Sequence, residues 1–473
     1  MQPIGGWESQ NYSTFDSRVR RVFDWEANNG IRYLAFLCEG NLYVDISGEL
    51  IDISPTPAIE PPSSNIQAGG YGTDLYGKGP FGNARPDRPR DKKITPAFTL
   101  DNWGEDLLAQ SSVDGRLLRW SPASPGDSAT EVPNAPIGRT FVVTPERHVI
   151  MFGVDGDPRK FAWCDEEDLE DWNYSDLTSK AGYFNVEPAS PIVSACKSLG
   201  GVLFHTARRA YMINPIGLPY IYNYEDKGAS STPISAASIV MAGDNTIWVA
   251  DNGFWQFNGA AIAPLDCPVW DWVKRQINPT YSRYESTMVD IVGRSELWWF
   301  FVSTESRYND RVVIYNYREG WWSMGKLSRS CGTGSSYTSY PVMSDGYTVY
   351  LHEKGFSYPG ITEGAWAETF TINSRDGARM STLRSMMPDV DGDPGQLAWR
   401  VYKSMQRSNK PDGSSPEVLT TRRFMRGDGV IDFRDTGRDI RLRVETVSVN
   451  GNDWTLGQHL VDLVARGSGG RVG

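Results

Sequence analysis

The 473-residue chain is short of several residue types on which crosslinked, metal-bound or catalytic folds depend. Cysteine is scarce: Cys38, Cys164, Cys196, Cys267 and Cys331 are far apart, odd in number and form no CxxC pair. That argues against a disulfide framework or a cysteine zinc site and favours buried free thiols. Histidine is scarcer still. His148, His205, His352 and His459 stand singly in or beside strand-like stretches, none at metal-ligand spacing, so a structural role is expected for each. Neither a G-x-S-x-G elbow nor a G-x-x-x-x-G-K-[ST] phosphate loop is present. Positive charge is in deficit, with 47 Lys plus Arg against 58 Asp plus Glu and a net charge of −11. A general nucleic-acid binder needs the opposite balance to neutralise phosphates. No apolar run approaches the length that spans a bilayer, and "MQPIGGWESQNYSTF" lacks a charged-then-apolar leader pattern. The expectation is a soluble chain, without membrane insertion, made in a reducing compartment.

Helical periodicity is also sparse, "CPVWDWVKRQI" (Cys267 to Ile277) being the best short candidate. What the chain has instead is aromatic residues (12 %, with 17 tryptophans), 47 glycines and 29 prolines scattered between β-rich runs. That composition predicts an all-β protein of many short strands joined by turns. In "ELWWFFVS" (Glu296 to Ser303) four bulky aromatics are consecutive, so a strand there buries both of its faces. Hairpin signals recur, with Glu39-Gly40, Asp114-Gly115, Asn252-Gly253 and Glu319-Gly320 lying between such runs.

The leading strands of the units, at Leu107, Val149, Val202, Ile247, Leu297 and Val349, are spaced 42 to 53 residues apart. This is the length of a four-stranded propeller blade, and blades stacked face to face would cover both sides of their middle strands. The spacing predicts a β-propeller over residues 1–364 with about six blades, seven if the N-terminal hairpins complete one. Paired β-sandwiches would account for the strands but not for their even spacing. Trp255, Trp321 and Trp322 then read as wedges between blades, with stacking on sugars as the alternative.

Two regions depart from the pattern. Ser54 to Ala97 carries eight prolines and six glycines, with Arg85, Arg88, Arg90, Lys92 and Lys93 against Asp87 and Asp91. An insertion this long is either a solvated linker or an arm contacting a neighbouring subunit or partner, and those five basic residues are the candidate contact positions. From residue 365 to 473 short alternating strands suggest a small antiparallel β-sandwich and a flexible tail. From Gln396 onward that end carries 13 basic against 9 acidic residues.

No catalytic, cofactor-binding or metal constellation emerges. "DVDGDPG" (Asp389 to Gly395) begins like a calcium loop, but its twelfth position is Arg400 where a bidentate glutamate belongs. The acidic run "CDEEDLEDW" (Cys164 to Trp172) reads as a solvated loop before a cation site. Glu146, Asp155, Glu296 and Glu353 could converge as a glycosidase carboxylate pair, since propellers host such enzymes, but only the fold suggests it. The chain is therefore expected not to be an enzyme.

Several stretches in order, "GIRYLAFLCEGNLYV", "FTLDNWGEDLLAQSSVDGRLLRW", "VTPERHVIMFG", "PRKFAWCDEEDLEDWN", "NGFWQFNG", "VIYNYREGWWSMGKLSR" and "YLHEKG", resemble the nozzle, or tail-hub, proteins of short-tailed bacteriophages. The resemblance runs from about Gly30 to Gly355 and loosely beyond. It implies a virion structural protein of the tail, assembled in the host cytoplasm as a homohexameric ring below the portal and adaptor proteins and beside the tail fibres. Such a ring extends the channel, gates or conducts genome ejection, and lets viral DNA pass without specific binding. No catalytic residues come with it. An acidic protein suits a conduit from which DNA departs. The alternative is a carbohydrate-binding receptor-recognition propeller or a tail glycoside hydrolase.

Overall fold

In a computed structural model, the described residues are 5–10, 12, 15–62, 95–176, 178–188, 190–334, 339–355, 365–369, 372, 380–393, 395–404, 417–425, 429–447 and 453–465. The chain divides into two compact units, Gln10–Tyr350 and a smaller one formed by Met1–Ser9 with Leu351–Gly473. Both are all-β among the described residues, apart from the short helices Trp270–Gln276 and Pro279–Glu285 and a single 3-10 turn.

Local chemistry sets the strand boundaries. Turns fall where the backbone needs a positive φ, as at Gly115 (φ 80°), where a Cβ would lie 2.5 Å from Ile137 Cγ2. At Gly201 (φ 157°) a Cβ would meet the Ile213 carbonyl oxygen at 2.0 Å, so only glycine lets the hairpin close. Between the turns, β-branched and aromatic residues pair in register. In the antiparallel strands Thr287–Ile291, Glu296–Phe301, Arg311–Asn316 and Trp321–Gly325, for example, Trp299 stands opposite both Met288 and Val313.

The larger unit is propeller-like. Six consecutive four-stranded antiparallel sheets open with Val19–Glu26, Phe98–Trp103, Thr140–Val143, Ile192–Ser198, Ile239–Ala242 and Thr287–Ile291. A seventh contains Cys331–Thr333, Val342–Ser344 and Val349–His352. The opening strand of each sheet neighbours that of the next, and Cys331–Thr333 returns to Val19–Glu26, so the inner strands form a closed cycle. Thr333 Oγ1 donates to Asp24 Oδ1 (2.5 Å) across that closure. The evenly spaced positions from Leu107 to Leu297 lie on the second strands of five sheets, while Val349 lies on the third strand of the last in chain order.

Adjacent sheets are held together face to face. One buried cluster joins Trp25, Tyr33, Leu37 and Val44 to Leu100, Leu107, Leu118 and Trp120 of the next sheet. Comparable clusters occupy the following four interfaces. Burial on both sides of Glu296–Phe301 follows. Trp299 and Phe301 pack with Phe254 and Val273, whereas Trp298 and Phe300 are buried on the opposite face. Trp322 joins this packing, with Phe254 at 4.7 Å and Tyr315 at 4.4 Å, but Trp321 is 61 % exposed and wedges nothing.

In the smaller unit, Trp366–Glu368, Asp439–Thr446, Gln396–Ser404 and Glu417–Met425 form a four-stranded sheet. Ile431–Gly437, Ser381–Met387 and Leu460–Ala465 form a three-stranded one. The two share a core containing Leu383, Leu397, Trp399, Phe433 and Leu442. Val390–Asp393, the stretch with the calcium-loop likeness, is a strand paired with Asp453–Leu456.

Candidate functional site

Two places in the larger unit gather polar side chains from distant parts of the chain. The first lies at the starting end of the inner strands. Arg20 Nη1 meets Glu285 Oε1 at 2.7 Å, Arg18 Nη2 meets Glu285 Oε2 at 3.1 Å, and Arg20 also donates to the Tyr284 carbonyl. Glu285 ends the helix Pro279–Glu285, which places its carboxylate just ahead of the sixth inner strand. Asn309 Nδ2 fixes the backbone there, donating to the Glu285 and Arg329 carbonyls at 2.7 and 3.0 Å. All three ionic side chains are below 10 % exposed. Burial works against the Arg20 charge, but Glu285 and Glu39 outweigh it and hold its pKa above the ordinary value. Burial raises the Glu39 carboxyl, with Arg20 pulling the other way.

Residues from the starts of five inner strands surround this network, leaving a cavity of about 20 Å³, room for one water. Farther along, Lys197 Nζ reaches Asp101 Oδ2 at 2.7 Å, bridging the second and fourth inner strands. The paired charges thus link inner strands two apart in the cycle.

The second place is a cleft of about 230 Å³ in the third and fourth sheets. The hairpin turn Thr144–His148 supplies Glu146 and His148, its tightness set by Arg147 at φ 62° and by Thr144 N donating to the His148 carbonyl (2.9 Å). His148 Nδ1 lies 2.9 Å from the Cys164 carbonyl, so Nδ1 carries the proton and Nε2 remains an acceptor. Burial lowers the His148 pKa, keeping the ring neutral at pH 7. Tyr222 Oη shares a hydrogen bond of 2.9 Å with Thr144 Oγ1, and burial raises its pKa. Glu166 is ion-paired with Lys180, and the loop Pro215–Ile221 supplies an aliphatic wall.

The residues singled out in the sequence do not assemble into one site. Arg85, Arg88, Arg90, Lys92 and Lys93 lie outside the described residues. Of the four carboxylates considered together, Glu146 lines the cleft, Asp155 pairs with Lys160 Nζ (2.6 Å) and Glu296 accepts from Trp298 Nε1 (3.0 Å). Glu353, in the smaller unit, accepts from Gly5 N at 3.0 Å. In the acidic run, Asp165, Asp168 and Asp171 accept from backbone N–H groups nearby. Among the described residues no group of three or more His, Cys, Asp or Glu side chains is placed to hold a metal. Each histidine ring packs on an aromatic: His148 on Tyr222, His205 on Trp248, His352 on Trp7 and His459 on Trp399. All five cysteines are free thiols, with Cys38, Cys164 and Cys331 buried and the other two partly so. Lys180, Leu218 and Tyr222 escaped sequence reasoning because no motif links them to the Thr144–His148 turn.

No family model and no curated protein matches this chain. Among solved structures, a streptogramin B lyase is 11 % identical, with 74 % of this chain and 98 % of that one covered and a TM-score of 0.45. A virginiamycin B lyase from Staphylococcus aureus is 10 % identical, with 73 % and 98 % covered and a TM-score of 0.44. These are enzymes, which corrects the expectation that the chain is not one: that expectation rested on missing sequence motifs, and catalytic groups can be assembled by topology from loops that share none. At such identity and TM-score the likeness assigns no activity and no residue here. No helix among the described residues is long and apolar enough to cross a membrane.

Proposed function

We propose that the chain is a structural subunit of the tail of a short-tailed bacteriophage, the nozzle or hub, with its seven sheets as seven blades and its C-terminal sheets as a sandwich. The observation that carries this reading is the placement of the ordered stretches. "GIRYLAFLCEGNLYV" forms strands of the first sheet, "FTLDNWGEDLLAQSSVDGRLLRW" the second, "VTPERHVIMFG" the third, "NGFWQFNG" the fifth and "VIYNYREGWWSMG" the sixth. The order that underlies the resemblance is thus the order of sheets around the cycle. On this reading the DNA channel runs between copies in a homohexameric ring, which meets portal and adaptor proteins on one side and tail fibres on the other. The net charge of −11 gives that ring few phosphate-neutralising contacts, so DNA passes without being retained.

The test is assembly. Light scattering and electron microscopy of the purified chain, alone and with the adaptor proteins of the same phage, are expected to give a sixfold ring. Deletion of residues 69–93 is expected to leave a folded monomer that no longer assembles. A chain that stays monomeric in both settings, or one that forms normal rings after the deletion, overturns the respective claim.

A further inference from the structure

The cleft behind His148 has a composition of its own, independent of ring assembly. Its volume of about 230 Å³ falls below the range of roughly 300–1,000 Å³ typical of small-molecule sites, so it suits a single group the size of a side chain. Its polar side has more acceptors than donors. The carboxylates of Glu146 and Glu166 and the imidazole of His148 line it with the Tyr222 hydroxyl, which also bonds Glu146, and one ammonium, Lys180, which is already paired with Glu166. Two carboxylates against one ammonium leave one formal negative charge. Opposite them, Pro215, Leu218 and Ile221 present aliphatic surface. The loop carrying that wall is held by Ile216 N donating to the Ile221 carbonyl (3.0 Å), yet Ile216, Leu218 and Tyr220 are 54, 76 and 72 % exposed. A polar socket with surplus acceptors beside an exposed apolar loop offers an anchor point and, next to it, surface that a partner can cover to keep water from the anchor.

We propose that this cleft is a socket for an arginine side chain presented by a partner polypeptide. The guanidinium has five donors and no acceptor, which matches the surplus of carboxylate and imidazole acceptors. Its three-carbon stem lies along the aliphatic wall. Residues flanking the arginine in the partner cover Ile216, Leu218 and Tyr220. A lysine ammonium offers the same charge but not the planar fork that a carboxylate accepts in two parallel bonds. A neutral polyol would leave the formal charge of the cleft uncompensated.

Calorimetric titration of the full chain with acetyl-Gly-Arg-Gly-amide, and with the same tripeptide carrying citrulline or lysine, tests the assignment. Citrulline keeps the shape of arginine and removes its charge. Arginine is expected to bind at least about tenfold more tightly than citrulline, a difference of about 1.4 kcal/mol, and more tightly than lysine. Glu146→Gln is expected to weaken the arginine tripeptide by about tenfold while leaving the citrulline one unchanged. Equal binding of arginine and citrulline overturns the proposal, as does full affinity in a folded Glu146→Gln variant. Binding of neutral monosaccharides in place of the arginine tripeptide also overturns it and turns the cleft into a sugar site. Should Glu146→Gln fail to fold, the arginine and citrulline comparison on the unaltered chain decides alone.

Discussion

At the scale of single residues, one buried and one half-buried ionisable group have opposite effects on acid stability. His205 is fully buried, with neither ring nitrogen hydrogen-bonded, and burial pushes its pKa down to about 3. The unfolded chain takes up a proton there near pH 6.5 while the folded chain does not, so folded stability is lost as pH falls below 6.5. Asp290 is the reverse case. Burial raises its carboxyl to about 6, with a hydrogen bond from Tyr317 opposing the shift. The folded chain holds that proton up to about pH 6, so stability falls as pH rises from 3.8 through 6. His205→Leu is therefore expected to lose less stability than the parent between pH 6.5 and 4.5, the difference reaching about 3 kcal/mol. Asp290→Asn is expected to gain about 2 to 3 kcal/mol at pH 7.5 and little at pH 4. Urea midpoints at three pH values check both, and parallel pH profiles for parent and variants would contradict them. Neither effect was legible in the sequence, because both depend on what surrounds the side chain. That each histidine ring packs on an aromatic was not legible either.

At the scale of elements, burial separates residues that look alike in sequence. Trp299 and Trp321 both sit in aromatic-rich strands, yet one is 0 % and the other 61 % exposed. Trp299→Ala removes an inter-sheet contact and is expected to cost about 3 to 5 kcal/mol. Trp321→Ala is expected to change stability by no more than about 0.5 kcal/mol. Thermal unfolding of the two variants distinguishes them, and similar shifts would undo the assignment of the inter-sheet wedge to Trp299. The run Trp298–Phe301 announced a strand covered on both faces because no alternation was possible within it. The pair Trp321–Trp322 announced nothing so definite: in an outer strand the two neighbours point to opposite faces, and only one of those is covered. The sheets were legible through the regular return of turns and strands. The strand that opens each one was not, since several of them, such as Val19–Glu26 and Ile192–Ser198, mix apolar with charged or polar residues. The cleft was hidden for a related reason. Glu146, Lys180 and Leu218 lie on three separate loops that only the stacking of the third and fourth sheets brings together.

At the scale of the whole molecule, stability depends on closing the cycle, and the charges at the axial end report on that closure. Glu285, ahead of the sixth inner strand, is paired with Arg18 and Arg20 at the start of the first, so the network spans the seventh sheet between them. Removing the carboxylate alone leaves the buried Arg18 guanidinium without its carboxylate and Arg20 with only Glu39, 3.7 Å away, which costs about 3 to 5 kcal/mol. Replacing all three side chains with apolar ones removes the charges together with their desolvation penalty, and such replacements are often neutral or stabilising. Glu285→Leu is therefore expected to lower the unfolding midpoint of the larger unit sharply, and the triple variant Arg18→Met, Arg20→Met, Glu285→Leu to recover most of the loss. Recovery would mean that apolar packing closes the cycle and that the ion pairs only need to be matched within it. A triple variant as unstable as the single one would mean the reverse, that the Arg18–Glu285 and Arg20–Glu285 pairs themselves hold the first and sixth sheets in place. Denaturant titration followed by tryptophan fluorescence separates the outcomes, because Trp25 and Trp299 are buried in the first and sixth sheets that the closing sheet joins.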